Sequence, residues 1–376
     1  MSWHVLNELM RTLVPPDKKA FLQSVGGKKI IIYGAGNTGK DVLGALKDEG
    51  AEVFCFLDRS AVNGDIRWGI PVYRPDDPVI PPGDRADAMV IIGVFNRSSS
   101  LCEIEGGLRA LGYGRSMSFA EFYEFHQGLP GGRFWLWPRT NYSGYKKEIE
   151  EAYSLWADEK SRSLYEKIIE CRLAGKLSAL PAPSGRQYFP EDIPQWRTPL
   201  RFVDCGAFDG DTLSEILESK IPIQAYAGFE PDPENFRKLS ALARASRYKL
   251  DSALWPCGVW SGSQIMRFNP EGESGCISDT GSRVIQCVSL DEALPSFSPN
   301  LVKMDIEGAE YEALLGAKKL ITRERPGLAI CLYHRPEHIF SLAVLINNWD
   351  CGYSFYLRSH GWSGFDLVMY AVPDAG

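Results

Sequence analysis

The chain has 376 residues, 44% of them apolar, and carries 41 basic against 48 acidic side chains for a formal charge of −7. That length allows about two to three domains, and an acidic balance spread along the chain without a basic block argues against nucleic acid as a partner. No run approaches the roughly 18 consecutive apolar residues of a membrane span, and the N-terminal stretch lacks an apolar core of secretory type, so a cytoplasmic protein with no membrane partner is expected.

In chain order, "KKIIIYGAGNTGKDVLGALKDEGAEVFCFLDRS" predicts a strand from Lys29 to Tyr33, a glycine turn, a helix from about Thr38 to Lys47, and a strand ending at Asp58. That is a βαβ unit. Gly34, Gly36 and Gly39 stand as G-x-G-x-x-G between strand and helix, the context in which such a turn holds a pyrophosphate at a helix N-terminus, with Asp58 placed for a ribose diol. A nucleotide or nucleotide-sugar is one reading of this turn; a tight packing turn that binds nothing is the other. The stretch "FLDRSAVNGDIRWGIPVYRP" resembles the N-terminal lobe of bacterial sugar acyltransferases, which implies sugar chemistry. An apolar run from Ala88 to Phe95 and a helix from Ser99 to Leu111 follow, and the lobe closes near residue 130 in "GLPGGRFW".

From Lys146 to Leu173 the pattern is helical, with Leu164, Tyr165, Ile168 and Ile169 as its apolar stripe. It leads through "AGKLSALPAPSG" to a second α/β segment. The expected domains are a Rossmann-like nucleotide-binding-type domain at 1–130, a helical linker and cap at 131–198, and a catalytic α/β domain at 199–376. The nine cysteines occur singly, several inside apolar runs, and read as reduced buried thiols.

Four strands of the last segment end in polar residues: at Asp204 before Gly206 and Gly210, at Glu230, at Asp305 with Glu307 and Glu310 just beyond, and at His334. In an open α/β sheet, ligands lie beyond the carboxyl ends of the strands, so these residues are expected to converge. The turn "VDCGAFDGDT" also carries Asp209 and Asp211. A pyrophosphate brought against these acids meets repulsion of about 1 kcal/mol per close pair even in water. S-adenosylmethionine has no phosphate, carries a sulfonium and an ammonium, and offers a ribose diol that one carboxylate, Glu230, can accept. Each residue also has a structural reading. An acid at a strand end can cap the next helix, and a histidine can be a satisfied core group.

Residues from about 150 to 372 resemble the FkbM family of S-adenosylmethionine-dependent methyltransferases. The resemblance lies in "FVDCGAFDGDT", "GFEPDPENFRKL", "VSLDEAL", "LVKMDIEGAEYEALLGAKKLI" and "FDLVMYAVP". It implies a class I methyltransferase-type sheet of seven mostly parallel strands with helices on both faces. It also implies O-methylation of a sugar or other natural-product hydroxyl, a small-molecule acceptor, and cofactor contacts at Asp204, Gly206, Ala207, Gly210, Thr212, Glu230 and Asp232. Phe208 and Asp209 depart from the Asn common in the family's turn, and "CLYHRP" departs from its Glu-containing strand end. Methyl transfer requires alignment and removal of the acceptor's proton. His334 is expected to be the base because imidazole titrates near neutral pH, with Asp305 orienting it or the acceptor. A divalent metal on Asp305, Glu307 or Glu310 and His334 is the rival account. Two other functions compete. One is an NAD-dependent nucleotide-sugar oxidoreductase or epimerase using the first glycine turn, for which no Tyr-x-x-x-Lys proton relay is assigned. The other is an inactive binding protein, favoured only by "CLYHRP".

Overall fold

The computed structural model describes residues 8, 10–62, 64–129, 134–244, 250–270, 275–277 and 280–374. The chain divides into two compact units. The first comprises Met1–Lys146, Leu164–Pro183 and Gly361–Phe365; the second comprises Lys147–Ser163, Ser184–His360 and Asp366–Gly376. Part of "GLPGGRFW" lies outside the described residues. Among the described residues no helix is long and apolar enough to cross a membrane.

The first unit is built on β1 (Ile30–Tyr33), β2 (Val53–Leu57), β3 (Ile66–Arg67), β4 (Ile70–Tyr73), β5 (Met89–Ile92) and β6 (Arg115–Ser118), in the spatial order β3-β4-β2-β1-β5-β6. Only β3 runs antiparallel to its neighbour. Buried on both faces, β1 reads as a continuous apolar run, as central parallel strands do. The helix Asn37–Asp48 turns Val42, Leu43 and Leu46 inward, a stripe at helical spacing. Its start shows why the turn is glycine-rich. A Cβ on Gly39 would sit 2.0 Å from the Gly34 carbonyl oxygen, and Gly34 itself has φ +98°. Gly36 meets nothing within 4 Å. Two of the three glycines are thus required by packing, and the third leaves open space.

The second unit contains a seven-stranded sheet of β7 (Leu200–Cys205), β8 (Ile223–Phe229), β9 (Asp251–Trp255), β14 (Leu301–Met304), β15 (Gly327–Cys331), β16 (Tyr353–Ser359) and β17 (Leu367–Pro373). Its order is β16-β17-β15-β14-β7-β8-β9, with only β17 antiparallel to its neighbours. The fold expected from the sequence is present. Between β9 and β14 lies a smaller sheet that the sequence reading did not separate: β10 (Gly258–Val259), β11 (Gln264–Asn269), β12 (Cys276–Ile277) and β13 (Arg283–Val288). Among the described residues its buried core is Phe268, Ile285 and Cys287, with Trp260, Met266 and Ile277 packed against it, a small apolar signal in the sequence.

The single helical stretch expected from Lys146 to Leu173 is two helices, Lys146–Leu155 and Glu159–Ala174. The break has a local cause. Asp158 caps the second helix, its Oδ1 accepting from the Ser161 amide at 2.7 Å, while the Ala157 amide donates to the Phe355 carbonyl at 2.8 Å. Arg358 is 1% exposed and binds Asp158, Asp192 and the Ser161 hydroxyl, so it fastens the break to β16. All nine cysteines are free; six are buried, whereas Cys102 is exposed and Cys276 and Cys351 are half-buried.

Gly39→Ala is expected to lower the stability of the first unit by about 1–3 kcal/mol through overpacking, and Gly36→Ala by about 1 kcal/mol or less. Urea unfolding of the full chain compares the two; equal losses would contradict the packing role given to Gly39.

Candidate active site

The register of the second unit's sheet sets the site. Cys205 pairs with Phe229 and with Met304, and Met304 with Ile330, so β7, β8, β14 and β15 end side by side. The residues that follow, Gly206, Glu230, Asp305 and the run to His334, are therefore brought to one edge. β15 stops at Cys331, earlier than the sequence reading placed it, and His334 stands on the segment beyond.

The turn after β7 is held from below. Lys303, on β14 and 2% exposed, places Nζ 3.0 Å from Asp204 Oδ1 and donates to the Gly206 carbonyl at 2.7 Å. Asp204 is fully buried and accepts from the Tyr226 hydroxyl at 3.1 Å. Burial alone would pull the ammonium down, but the charges of Asp204, Asp305 and Asp211 outweigh it and hold Lys303 above its usual range. Asp204 therefore braces the turn from within the core. Gly206 has φ +76°, and a Cβ there would meet the Asp305 carbonyl oxygen at 2.0 Å, so its glycine serves the turn's closeness to β14 rather than ligand approach. Phe208 and Gly210 also adopt positive φ, +47° and +95°. The amides of Gly206 and Ala207 both donate to the Phe229 carbonyl at 3.0 Å, and Thr212 is buried in the first turn of the helix Asp211–Glu218.

Glu230 closes this edge. Its Oε2 accepts from the Phe208 amide at 2.9 Å and its Oε1 from the Asp232 amide at 2.8 Å, leaving one acceptor position on each oxygen. Burial pushes its carboxyl up to about 7 despite those two amides. Asp232 has a different task. It caps the helix Pro233–Ala243 through the Glu234 and Asn235 amides and pairs with Arg283 at 2.6 Å.

Beyond β14 lies a compact acid cluster. Asp305 Oδ2 accepts from the Tyr188 hydroxyl at 2.8 Å and Oδ1 from the Tyr333 hydroxyl at 3.4 Å, with His334 Nε2 3.3 Å from Oδ1. His334 Nδ1 lies 2.7 Å from Glu310 Oε1, which also accepts from the Ile306 amide at 3.0 Å; the other Glu310 oxygen is 3.2 Å from His338 Nδ1. Burial would lower the imidazole, but Glu310, Glu307 and Asp305 outweigh it and push His334 up to about 10. At neutral pH it is an imidazolium already carrying its proton. The expectation that His334 titrates near neutrality is corrected by the carboxylates around it. Burial would raise Asp305, but His334 and Lys303 hold it below its usual range. Among the described residues no group of three or more His, Cys, Asp or Glu is arranged to hold a metal ion.

Tyr188, Tyr333, Lys303 and His338 were not assigned from the sequence. Tyr188 lies in the aromatic stretch "RQYFPEDIPQW", whose composition suits a pocket wall and a packed core alike; the bond to Asp305 spans 117 positions and leaves no local signature.

In the first unit, Tyr33, Gly34, Asp58, Arg59, Val94 and Ser98 help to line a cavity of about 240 Å³ at the carboxyl ends of β1, β2 and β5. Asp58 is largely engaged by its own surroundings. Oδ2 accepts from the Ala35 amide at 3.2 Å, and Oδ1 from the Ser60 amide and hydroxyl at 2.9 and 2.6 Å. Tyr142 and Lys146 do stand at Tyr-x-x-x-Lys spacing. Tyr142, however, is 1% exposed, bonds Arg172 at 3.5 Å, and is not among the residues lining this cavity.

A glycine turn and acids on the adjoining ends of parallel strands form the carboxyl edge of this seven-stranded sheet. Residues 204–355, within the second unit, match the family model of the methyltransferase FkbM domain. The chain is similar in fold to the crystal structure of Methyltransferase FkbM from Methylobacillus flagellatus KT, with TM-score 0.76 and 19% identity over 98% of each chain. The fibrillarin pre-rRNA processing protein of Methanococcus jannaschii aligns at TM-score 0.28 and 13% identity over 46% of this chain and 66% of its own, too low to carry an argument. No curated protein matches the chain.

Lys303→Met is expected to cost about 3–5 kcal/mol because it leaves the Asp204 charge buried without its partner. Combining it with Asp204→Leu should recover part of the loss. Urea unfolding decides; a double variant no more stable than Lys303→Met would contradict the pairing.

Proposed function

We propose that the second unit transfers a methyl group from S-adenosylmethionine to a hydroxyl oxygen of a sugar or other natural-product precursor. The observation that carries this reading is the acidic edge. The Glu230 carboxylate keeps two open acceptor positions beside a glycine turn flanked by Asp209 and Asp211, and the nearest buried cation, Lys303, is consumed below the turn. That donor set suits a diol and a positive charge and opposes a pyrophosphate.

Glu230 would hold the ribose hydroxyls, and the half-buried Gly206, Phe208 and Asp209 would face the amino-acid portion. When bound, the cofactor supplies a methyl carbon on a positively charged sulfur, open to in-line displacement by an acceptor oxygen. Asp305, fixed by two phenols and an imidazolium, and His334, held between Glu310 and Asp305, position the acceptor and set the charge of the site.

A second reading concerns the first unit. Its cavity at the glycine turn lies where the strand order reverses between β1 and β5, the usual ligand position in such sheets, and Arg59 lines it. A volume of about 240 Å³ suits part of a nucleotide or nucleotide-sugar better than a whole dinucleotide.

Thermal-shift titration with S-adenosylmethionine, S-adenosylhomocysteine, NAD and UDP tests both readings. Both adenosyl compounds should stabilise the protein; Glu230→Ala should abolish that response and Asp58→Ala should spare it. A response to NAD with none to either adenosyl compound would overturn the main proposal. A UDP response lost in Arg59→Glu supports the second reading, and its absence in the unaltered protein contradicts it.

The affinity for S-adenosylhomocysteine should also depend on pH. The ribose hydroxyls donate best to a charged carboxylate, so affinity should rise as pH increases through about 7, where Glu230 ionises, and level off above. Calorimetry at pH 6 and pH 8 measures this, and an affinity unchanged or weaker at pH 8 contradicts the role of Glu230.

A further inference from the structure

The site contains one carboxylate that neither bracing nor capping accounts for. Glu307 follows β14 by three residues, and its side chain is 20% exposed, against 1% for His334 and 0% for Glu310. Its Oε2 lies 3.7 Å from His334 Nε2, and no hydrogen bond from another described residue reaches its carboxylate. Asp305 is exposed to a similar degree but is engaged by Tyr188 and Tyr333.

The backbone here is strained. Glu307 has φ +55°, a conformation that costs a non-glycine residue on the order of 1 kcal/mol. Gly308 follows at φ +99°, and Arg335 Nε donates to its carbonyl at 2.9 Å, with the Arg335 side chain packed where a Cβ would lie. Ile306, on the other side, is tied to Glu310. Both flanks of Glu307 are therefore fixed, and its side chain stays one-fifth exposed beside His334.

We propose that Glu307 accepts the acceptor's proton during methyl transfer. This rests on the reading of the second unit as a methyltransferase that uses an adenosyl sulfonium. As the acceptor oxygen bonds to the methyl carbon, the carbon–sulfur bond breaks with its electron pair going to sulfur, and the O–H proton passes to a Glu307 carboxylate oxygen. Charge balances: the sulfonium becomes a neutral thioether and the carboxylate a neutral acid.

The surroundings suit a proton acceptor at neutral pH. Burial pushes the Glu307 carboxyl up to about 7, with His334 pulling it back and Asp305, Glu310 and Asp366 adding to the rise. Tyr333 also faces it, as a neutral phenol whose own ionisation is driven far up by burial. His334 and Lys303 hold Asp305 below its usual range, and the surrounding carboxylates push His334 up to about 10. Its fixed positive charge keeps part of Glu307 ionised in spite of burial.

The test needs no knowledge of the acceptor. Carbon-13 NMR of protein labelled at the glutamate carboxyl, with the Glu307 resonance assigned by its loss in Glu307→Gln, gives the titration midpoint in three states: free, with S-adenosylhomocysteine, and with S-adenosylmethionine. The two compounds differ by one positive charge at sulfur. A carboxylate facing the transfer point should therefore titrate about one pH unit or more lower with the sulfonium than with the thioether. The free protein should show a midpoint near 7, rising in His334→Gln, where the cation is lost. If both compounds bind and the two midpoints coincide, Glu307 does not face the transferred methyl and the proposal falls while the methyltransferase reading stands. If neither compound binds, it is that reading which fails.

Discussion

The buried pair of Lys303 and Asp204 is the interaction on which the second unit's site depends. It lies inside the sheet, between neighbouring strands β14 and β7, and the same ammonium reaches up to the Gly206 carbonyl. Desolvating two charges is costly, and packed apolar side chains would serve stability as well or better. What the pair adds is position. One cation neutralises the acid under the turn, carries the turn's first carbonyl and contributes to holding the Asp305 carboxyl low. The turn can then present its remaining acids to a ligand without an uncompensated charge beneath them.

Above that base, the carboxylates are sorted by their partners. Asp204 is consumed by lysine and tyrosine, Asp232 by a helix terminus and an arginine, Glu310 by two histidines and a backbone amide, and Asp305 by two phenols and His334. Glu230 and Glu307 remain incompletely satisfied, and both are raised to about 7 by burial. A cofactor diol and an acceptor proton are what such groups can use. The cluster thus separates carboxylates that shape the site from those that can act in it.

Much of this was legible from residue pattern. The alternation of apolar runs, glycine turns and amphipathic stretches marks both α/β units, and strand-end residues such as Asp204, Glu230 and Asp305 follow from the rule that ligands lie at the carboxyl edge. What was not legible depends on contacts distant in sequence. The titration of His334 is shifted by Glu310 and Glu307, 24 and 27 positions away, so its intrinsic value is no guide to its charge. Gly206 looked like a ligand glycine because the Asp305 carbonyl that excludes its Cβ comes from another strand. The break at Asp158 left no local signature because the side chain that fastens it, Arg358, is supplied by β16. Local pattern identified the elements; long-range electrostatics assigned the tasks.

The two glycine turns make the division of labour open to direct inspection. One is braced by a buried lysine and lined with acids; the other, at Gly34 to Gly39, is free of acids in its turn and packed through its own glycines. A crystal structure of the full chain grown with S-adenosylhomocysteine tests the central claim most directly. The account predicts adenosyl density at the edge between Gly206 and Glu230, with the ribose hydroxyls on the Glu230 carboxylate. Adenosyl density at Gly34 to Asp58, with the Gly206 edge empty, would contradict it.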